Sequence, residues 1–598
     1  MSMEEAEKQD IDQFDIILVS GDAYVDHPSF GTAVIGRVLW DAGYTVGIIA
    51  QPDWKDPGCV MQLGKPRLFF GISSGNVDSM VAHYAPSGRA RALDSYSPAG
   101  VIRRPDRASL VYADLVHARF PKTPIVLGGL EASLRRFAHY DAWDGRVRQS
   151  LLADAPADMI VFGMAERQMV TIAEYLRSGT PIGEIRDIPG TVWKQAPKSW
   201  RLDPLPGTVL LPSFDEVSSD PWAYARAFGL HHGEQDPFRG RSVVQPHKKT
   251  VIIQNPPAHP LGTDELDHVY ELPYTRRAHP SYREPIPALE TVRFSITSHR
   301  GCFGGCSFCS LTHHQGGIIQ SRSPGSIERE ARAIAAMPEF TGTITDVGGP
   351  SANMYGMSCG RWYSQGTCPD RDCLSCASRS DGHGPWLSLL QKLQEIPKVR
   401  HVFVSSGIRY DLIPSFTVLQ QICDRHVSGH LKVAPEHIAD EVLILMRKPR
   451  AAVFLSFLKE FEKIQRGRKK RQYIVPYLMS GHPGCTITHM IALIEFLMAN
   501  RVSVEQVQDF TPTPMTASTC MYHTGINPFT LKKVHVPKGR EKKIQRAFLG
   551  YRDPANSGLI REGLIGAGRT DLIGHGPCCL VPPPGPGELS GTRRRGDR

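Results

Sequence analysis

Residues 298–316 read SHRGCFGGCSFCSLTHHQG and space three cysteines, Cys302, Cys306 and Cys309, as C-x3-C-x2-C. Thiolates are the usual protein ligands of iron–sulfur clusters, and three of them on one short loop can wrap a cube. Gly301, Gly304, Gly305 and Ser307 allow close backbone approach, and the glycines tolerate positive φ. Three thiolates on a cube of about four irons leave one iron open. An open position separates a metal centre that binds substrate from one that is only structural. The competing readings are a zinc site or unliganded core cysteines; the loop lacks the paired C-x2-C spacing of zinc ribbons.

Other residues could also do chemistry. Cys359, Cys368, Cys373 and Cys376 form a second group. Four thiolates could ligate an auxiliary iron–sulfur cluster or close around zinc, or they could be structural thiols. His313 and His314 follow the first loop, where they could tune a cluster, relay a proton or simply pack. Cys485 and Cys520 stand in loops after apolar strands; such isolated cysteines read first as small buried hydrophobes. In GGLEASLRR, Arg135 and Arg136 could bind an anion near a helix start, but surface salt pairing with Glu131 is the preferred reading.

The elements that position these residues follow from hydrophobic periodicity. Residues 1–197 alternate apolar, β-branched runs (Phe14–Ser20, Thr45–Ala50, Arg67–Ser73, Pro124–Gly129, Met159–Gly163) with helical patterns such as Gly31–Gly43. Such alternation predicts an α/β, doubly wound parallel sheet, whose ligands sit at the carboxyl ends of strands. Gly21, Gly71, Gly128 and Gly129 fall there, although tight strand-to-helix turns explain them equally well. Residues 198–287 lose periodicity and gain proline, as expected of a packed connector. Residues 288–530 hold a second strand–helix series, with strands expected at Thr291–Thr297, Gly342–Pro350, His401–Ser406, His430–His437, Tyr473–Gly481 and Val507–Pro514, and an insertion at 355–384 that carries the second cysteine group. Helices are expected at Ser326–Met337, Trp386–Ile396 and Ile487–Asn500. Six β/α repeats suit a partial barrel, with chemistry at the strands' C-terminal ends. Residues 531–581 form a C-terminal extension, and 582–598 read as a disordered tail.

The chain has 598 residues, more than one core can serve, and is 41% hydrophobic and 22% charged, an ordinary globular composition. The acidic N-terminus has no signal-like apolar stretch, so a cytoplasmic address is expected, and the 13 cysteines then point to metal or catalysis rather than disulfides. The net charge of +9 sits partly in RGRKKR (Arg466–Arg471) and in the final RRRGDR, runs that usually form solvated faces.

C-x3-C-x2-C directly after a first barrel strand, with Phe308 before the last cysteine, resembles the signature of the radical S-adenosylmethionine (SAM) superfamily. GDAYVDHPSFGTAVIGRVL, VLGGLEASLRRFAHYD, DVGGPSANMYG, KVAPEH, YLMSGHPG and QDFTPTP extend the resemblance, from about Phe14 to Pro582, to the bacterial YgiQ family. The resemblance implies a Rossmann-like, cobalamin-binding-like N-terminal domain followed by a TIM-type (β/α)6 radical SAM barrel. It implies a 4Fe–4S cluster on Cys302, Cys306 and Cys309 whose open iron chelates SAM, and a 5′-deoxyadenosyl radical that abstracts substrate hydrogen. It also implies a reducing partner such as flavodoxin or ferredoxin. Phe308 would lie beside the adenine. Gly348 and Gly349 would contact the SAM amino group, although Pro350 stands where the family's motif usually has an acidic residue. Ser405, Ser406, Lys432 and Glu436 occupy strand ends where SAM contacts are common. No catalytic side chain is assigned beyond the cluster, and the resemblance brings no substrate with it. Cobalamin-binding domains that use a histidine ligand carry D-x-H-x2-G; here Asp26 and His27 are adjacent, so cobalamin is not expected. The alternative class is a non-catalytic, metal-stabilised nucleic-acid-binding protein, which calls for four ligands per metal and aromatics among the basic residues. An RNA-modifying radical SAM enzyme is an intermediate reading, given the positive charge.

Overall fold

In the N-terminal third, side chains of successive strand residues alternate between two buried layers. Along β1 (Ile16–Ser20), Ile17 and Val19 join a core with Phe70, Tyr112 and Leu127, while Ile16 and Leu18 face a second core with Phe69, Val126 and Met169. Burial on both faces explains the unbroken apolar runs. The computed structural model describes residues 3–197, 207–368, 373–502 and 506–585. Among these, nine strands form one sheet: β1, β2 (Val46–Ala50), β3 (Phe69–Ser73), β4 (Ile125–Gly128), β5 (Met159–Val161), β6 (Thr191–Gln195), β7 (Thr208–Leu210), β8 (Ser242–Pro246) and β9 (Val251–Gln254). The first five are parallel in the order β2-β1-β3-β4-β5, so the direction of winding reverses between β1 and β3. Helices α1 (Gly31–Asp41), α2 (Ala108–Arg119), α3 (Gly129–Leu134) and α4 (Glu166–Arg177) connect these strands.

The expected connector does more than wrap. Its strands β7, β8 and β9 extend the sheet beyond β6 in the order β6-β9-β8-β7, and its helix α5 (Pro221–Gly233) is capped by Asp220. Short strands interrupted by proline hid this contribution. Residues 198–206 lie outside the described residues, as does the expected tail from 586 onward.

The second series also departs from expectation at its start. Pro287 opens a helix, α6 (Pro287–Val292), where its fixed φ is already helical, and only Ser295–Thr297 forms a strand, β10. β11 (His299–Arg300), α7 (Leu311–Gln315), β12 (Gln320–Ser321), α8 (Pro324–Ala336), β13 (Thr343–Ile344), β14 (Asp346–Gly348), α9 (His383–Gln394) and β15 (His401–Val402) follow. β10 runs parallel to β14 and β13 parallel to β15. These elements belong to the first of two compact units, Met1–Ser428 with Thr511–Leu531. The second unit, Gly429–Phe510 with Lys532–Arg598, holds the parallel strands β16 (His430–Glu436), β17 (Tyr473–Ser480) and β18 (Gln506–Asp509), with α10 (Ile487–Ala499), α11 (Gly539–Leu549) and α12 (Ser557–Gly566). A strand thus forms in each of the six expected segments, and every described pairing among them is parallel. No helix is long and apolar enough to cross a membrane among the described residues.

Burial holds several histidines neutral: His299, His247 and His482 are pushed down to about 4, and His139 and His437 to about 3. The unfolded chain takes up protons at these sites near pH 6.5, whereas the folded chain resists them until pH 4 or below, so unfolding is favoured as pH falls through that window. Denaturant midpoints measured from pH 8 to 4 are expected to fall below about pH 6.5; a midpoint that stays level or rises there contradicts the assignment.

Candidate functional site

The cysteine loop leaves and returns to one point. β11 and β12 pair antiparallel, Arg300 opposite Gln320, and clamp the ends of the loop between them. Inside it, Cys302 N–H donates to Gly316 O at 3.1 Å and Cys309 N–H to Cys306 O at 3.1 Å. Gly301 adopts φ +85°, and a Cβ there would strike the Ile318 carbonyl. A Cβ at Gly304 would strike the Arg409 guanidinium and crowd Cys302 Sγ. All three thiols are half-buried.

Arg409 is the main charge beside them. Its Nη1 lies 3.8 Å from Cys306 Sγ, and its Nη2 donates to Asp411 at 2.8 Å. Asn353, itself buried, fixes the Arg409 backbone on both sides: it accepts from the N–H at 2.8 Å and donates to the carbonyl at 2.9 Å. Burial works against the guanidinium charge, but Asp411 and the Cys306 and Cys302 thiols more than offset it and hold the group firmly cationic. A fixed cation beside three thiols on a glycine-rich loop suits an anionic iron–sulfur centre. Among the described residues no three histidine, cysteine or carboxylate side chains converge on a single ion; each thiolate of a cube binds a different iron, so convergence on one point is not required. Sequence reasoning missed Asn353, Arg409 and Asp411, whose only signal is that they follow strand ends.

Gly348 ends β14 and Gly349 follows it, both with close neighbours: a Cβ on the first would hit Ser406 Oγ, and one on the second would hit His299. Asp346 Oδ1 accepts backbone N–H groups of Ser405 at 2.7 Å and Ser406 at 3.0 Å, so Ser405, Ser406 and the glycine pair gather around one carboxylate. Lys432 and Glu436 lie on β16 in the second unit, where Glu436 ends the strand at φ +68° beyond a bulge.

A cavity of about 560 Å³ opens between the ends of β10 and β14 and the N-terminal sheet. Its sheet wall lies at the carboxyl ends of β1, β3, β4 and β5, which includes the winding reversal between β1 and β3, where ligands bind in such sheets. Gly71, Gly128 and Gly129 line it, whereas Gly21 packs instead against the Ser74 backbone. The other wall includes His299, Arg300, His314, Asp346, Gly348 and Gly349. Arg300 and Glu166 form a buried pair at 2.6 Å across this region, and Glu166 Oε2 is buried without a hydrogen-bond partner among the described residues. Burial pushes His314 down to about 4, and its Nδ1 lies 3.1 Å from Ser133 Oγ. His313 packs edge-on to His232.

One expectation needs correction. Glu131, Arg135 and Arg136 form neither a surface salt pair nor an exposed anion site, because α3 begins inside the sheet and buries all three. Glu131 accepts from the backbone of Ser79 and Ser109, Arg135 pairs with Asp78 and Asp141, and Arg136 bonds Gln254 and Gln235. His27 is buried with Nε2 2.8 Å from Arg276, and Asp26 pairs with Arg37. Cys485 and Cys520 are buried, and that burial raises both thiols far above the ordinary range. The run Arg466–Arg471 follows the end of a helix and is largely exposed.

A family model described as Radical SAM N-terminal matches residues 1–295, and a domain of unknown function, DUF3362, matches 505–597. UPF0313 proteins of Methanosarcina acetivorans and Methanosarcina mazei are 52% and 51% identical to this chain; each alignment covers 97% of it, with 82% and 99% of the relatives. The chain belongs to the UPF0313 family, within the radical SAM superfamily. A UPF0313 protein of Clostridium botulinum is 48% identical over 97% of this chain and 91% of its own length. Among solved structures, the radical SAM methyltransferase TsrM from Kitasatospora setae, with tryptophan and a SAM analogue bound, aligns at 14% identity and TM-score 0.48, covering 85% of this chain and 76% of that one. The cobalamin-dependent radical SAM enzyme OxsB, with aqua-cobalamin and SAM bound, aligns at 9% identity and TM-score 0.44, covering 83% and 53%.

If the Cys302–Cys309 loop of this UPF0313 member holds iron, Arg409→Met is expected to weaken its retention by about 10–100-fold, the usual cost of losing a group that orients metal ligands. Iron release to a chelator, compared between parent and variant, measures it; equal release would remove Arg409 from the site.

Proposed function

We propose that Cys302, Cys306 and Cys309 hold a 4Fe–4S cluster and that SAM binds at the ends of β10, β14 and β15, with the substrate in the adjoining cavity. The observation that carries this reading is the continuity of one cavity from Gly348 and Gly349 to the winding reversal of the N-terminal sheet. When bound, a cluster on these three cysteines would supply the electron for reductive cleavage of SAM. The chain's residues bind and orient. Gly348 and Gly349, lacking Cβ atoms, let a ligand amine approach the backbone, and Asp346 offers the carboxylate that Pro350 cannot. Ser405 and Ser406 hold Asp346 in place through their N–H groups. Phe308, next to Cys309 in the loop, would flank the adenine. Glu166 Oε2 presents a buried acceptor to the substrate, and the apolar strand ends would keep water from the reacting centre. His299 and His314, kept neutral by burial, add hydrogen-bonding capacity without cationic charge.

The test is anaerobic reconstitution with iron and sulfide, reduction, addition of SAM, and measurement of 5′-deoxyadenosine. The parent protein is expected to bind and cleave SAM and Cys306→Ala to do neither. A loaded, reducible cluster that neither binds nor cleaves SAM overturns the proposal.

A further inference from the structure

The insertion at 355–384 carries the second cysteine group, and its geometry points to a second metal centre. We propose that Cys359, Cys368, Cys373 and Cys376 form a four-thiolate site that loads independently of the Cys302–Cys309 loop. One arginine ties three of the four together. Arg379 forms a β-bridge with Cys359, donates its backbone N–H to Cys376 O at 3.3 Å, and donates Nε–H to Cys373 O at 3.1 Å. Cys368 is anchored through its neighbour: Thr367 gives its N–H and its hydroxyl to buried Asp236 at 2.6 and 2.8 Å, and Gly366, at φ +70°, leaves room for that carboxylate. The fourth side is apolar. Cys373 and Cys359 pack among Phe303, Met357, Trp362 and Leu412, a setting that excludes water and competing ligands.

Four thiols in such a place need a reason. Cys368, Cys359 and Cys376 all lie close to buried Cys373. With metal, each thiol releases its proton to solvent and becomes a ligand, and Arg379 offsets part of the resulting negative charge. Arg379 also lies over the Phe303 ring, 5.6 Å from its centroid, and Phe303 follows Cys302 in the chain. A small cavity of about 20 Å³ is lined by both Cys302 and Cys373. The two cysteine groups therefore share one apolar cluster and border one small cavity beside Phe303. The four sulfurs do not already converge on one ion, so binding draws them together, as in other sites where metal completes local folding. An iron–sulfur cluster and zinc share this ligand chemistry.

The test uses the full chain with Cys302→Ser, Cys306→Ser and Cys309→Ser, purified anaerobically from medium supplied with iron and zinc. Because the first loop cannot load in this variant, the result is independent of the proposed function. The variant is expected to retain either about four irons with sulfide or about one zinc per chain. Further change of Cys359→Ser and Cys376→Ser is expected to abolish that metal. A folded variant holding no more of either metal than the five-fold variant overturns the proposal. If the first variant fails to fold, the parent is compared with Cys359→Ser/Cys376→Ser alone: a deficit equal to one centre supports the site, and equal metal content overturns it.

Discussion

The buried ion pair between Arg300 and Glu166 is the constraint on which the rest of the site depends. Its two side chains are 2% and 4% exposed, and Arg300 also donates to the Tyr270 hydroxyl at 3.0 Å. Arg300 immediately precedes Gly301 and Cys302, and Glu166 opens α4 just beyond β5. The pair therefore fastens the start of the cysteine loop to the carboxyl edge of the N-terminal sheet. Removal of either partner would strand a charge in a low-dielectric interior, a loss of about 3–5 kcal/mol. The loop cannot drift from the sheet without breaking that pair, and the cavity between them keeps its two walls.

The same need to match charge in the interior explains how the cations are distributed. Arg409 stands beside the thiols with Asp411 as its partner and remains strongly cationic. Arg136, buried with amide, carbonyl and histidine neighbours but no carboxylate, is pushed down to about 9 by burial. One arginine is thus equipped to accompany negative charge, while the other braces α3 against the strands of the former connector. The histidines that line the cavity are neutral for the same reason, which leaves Asp346 and the Glu166–Arg300 pair as its charged features.

Much of this was legible in the sequence where one local rule decided the outcome. The cysteine spacing, the glycines around it and the continuous apolar strands β1 to β5 all read directly, because ligand spacing and two-sided burial leave patterns within a few residues of chain. The strands of the connector did not, since β7, β8 and β9 are short and acquire their partners only from β6 in the folded sheet. Pro287 converted an expected strand start into a helix turn. Arg135 and Arg136 read as surface groups because nothing local announces Asp78, Asp141 or Gln254 as partners distant in the sequence. Arg409 was invisible for the same reason: its neighbour Cys306 lies 103 positions away.

The most direct measurement is electron–nuclear double resonance on the reduced, reconstituted protein with SAM isotopically labelled at its amino nitrogen. If Cys302, Cys306 and Cys309 hold a cluster with an open iron beside Gly348 and Gly349, the label must appear as a hyperfine coupling to the cluster, lost when Cys306 is replaced. A fully reduced cluster with SAM bound to the protein but no such coupling would contradict the assignment of the site.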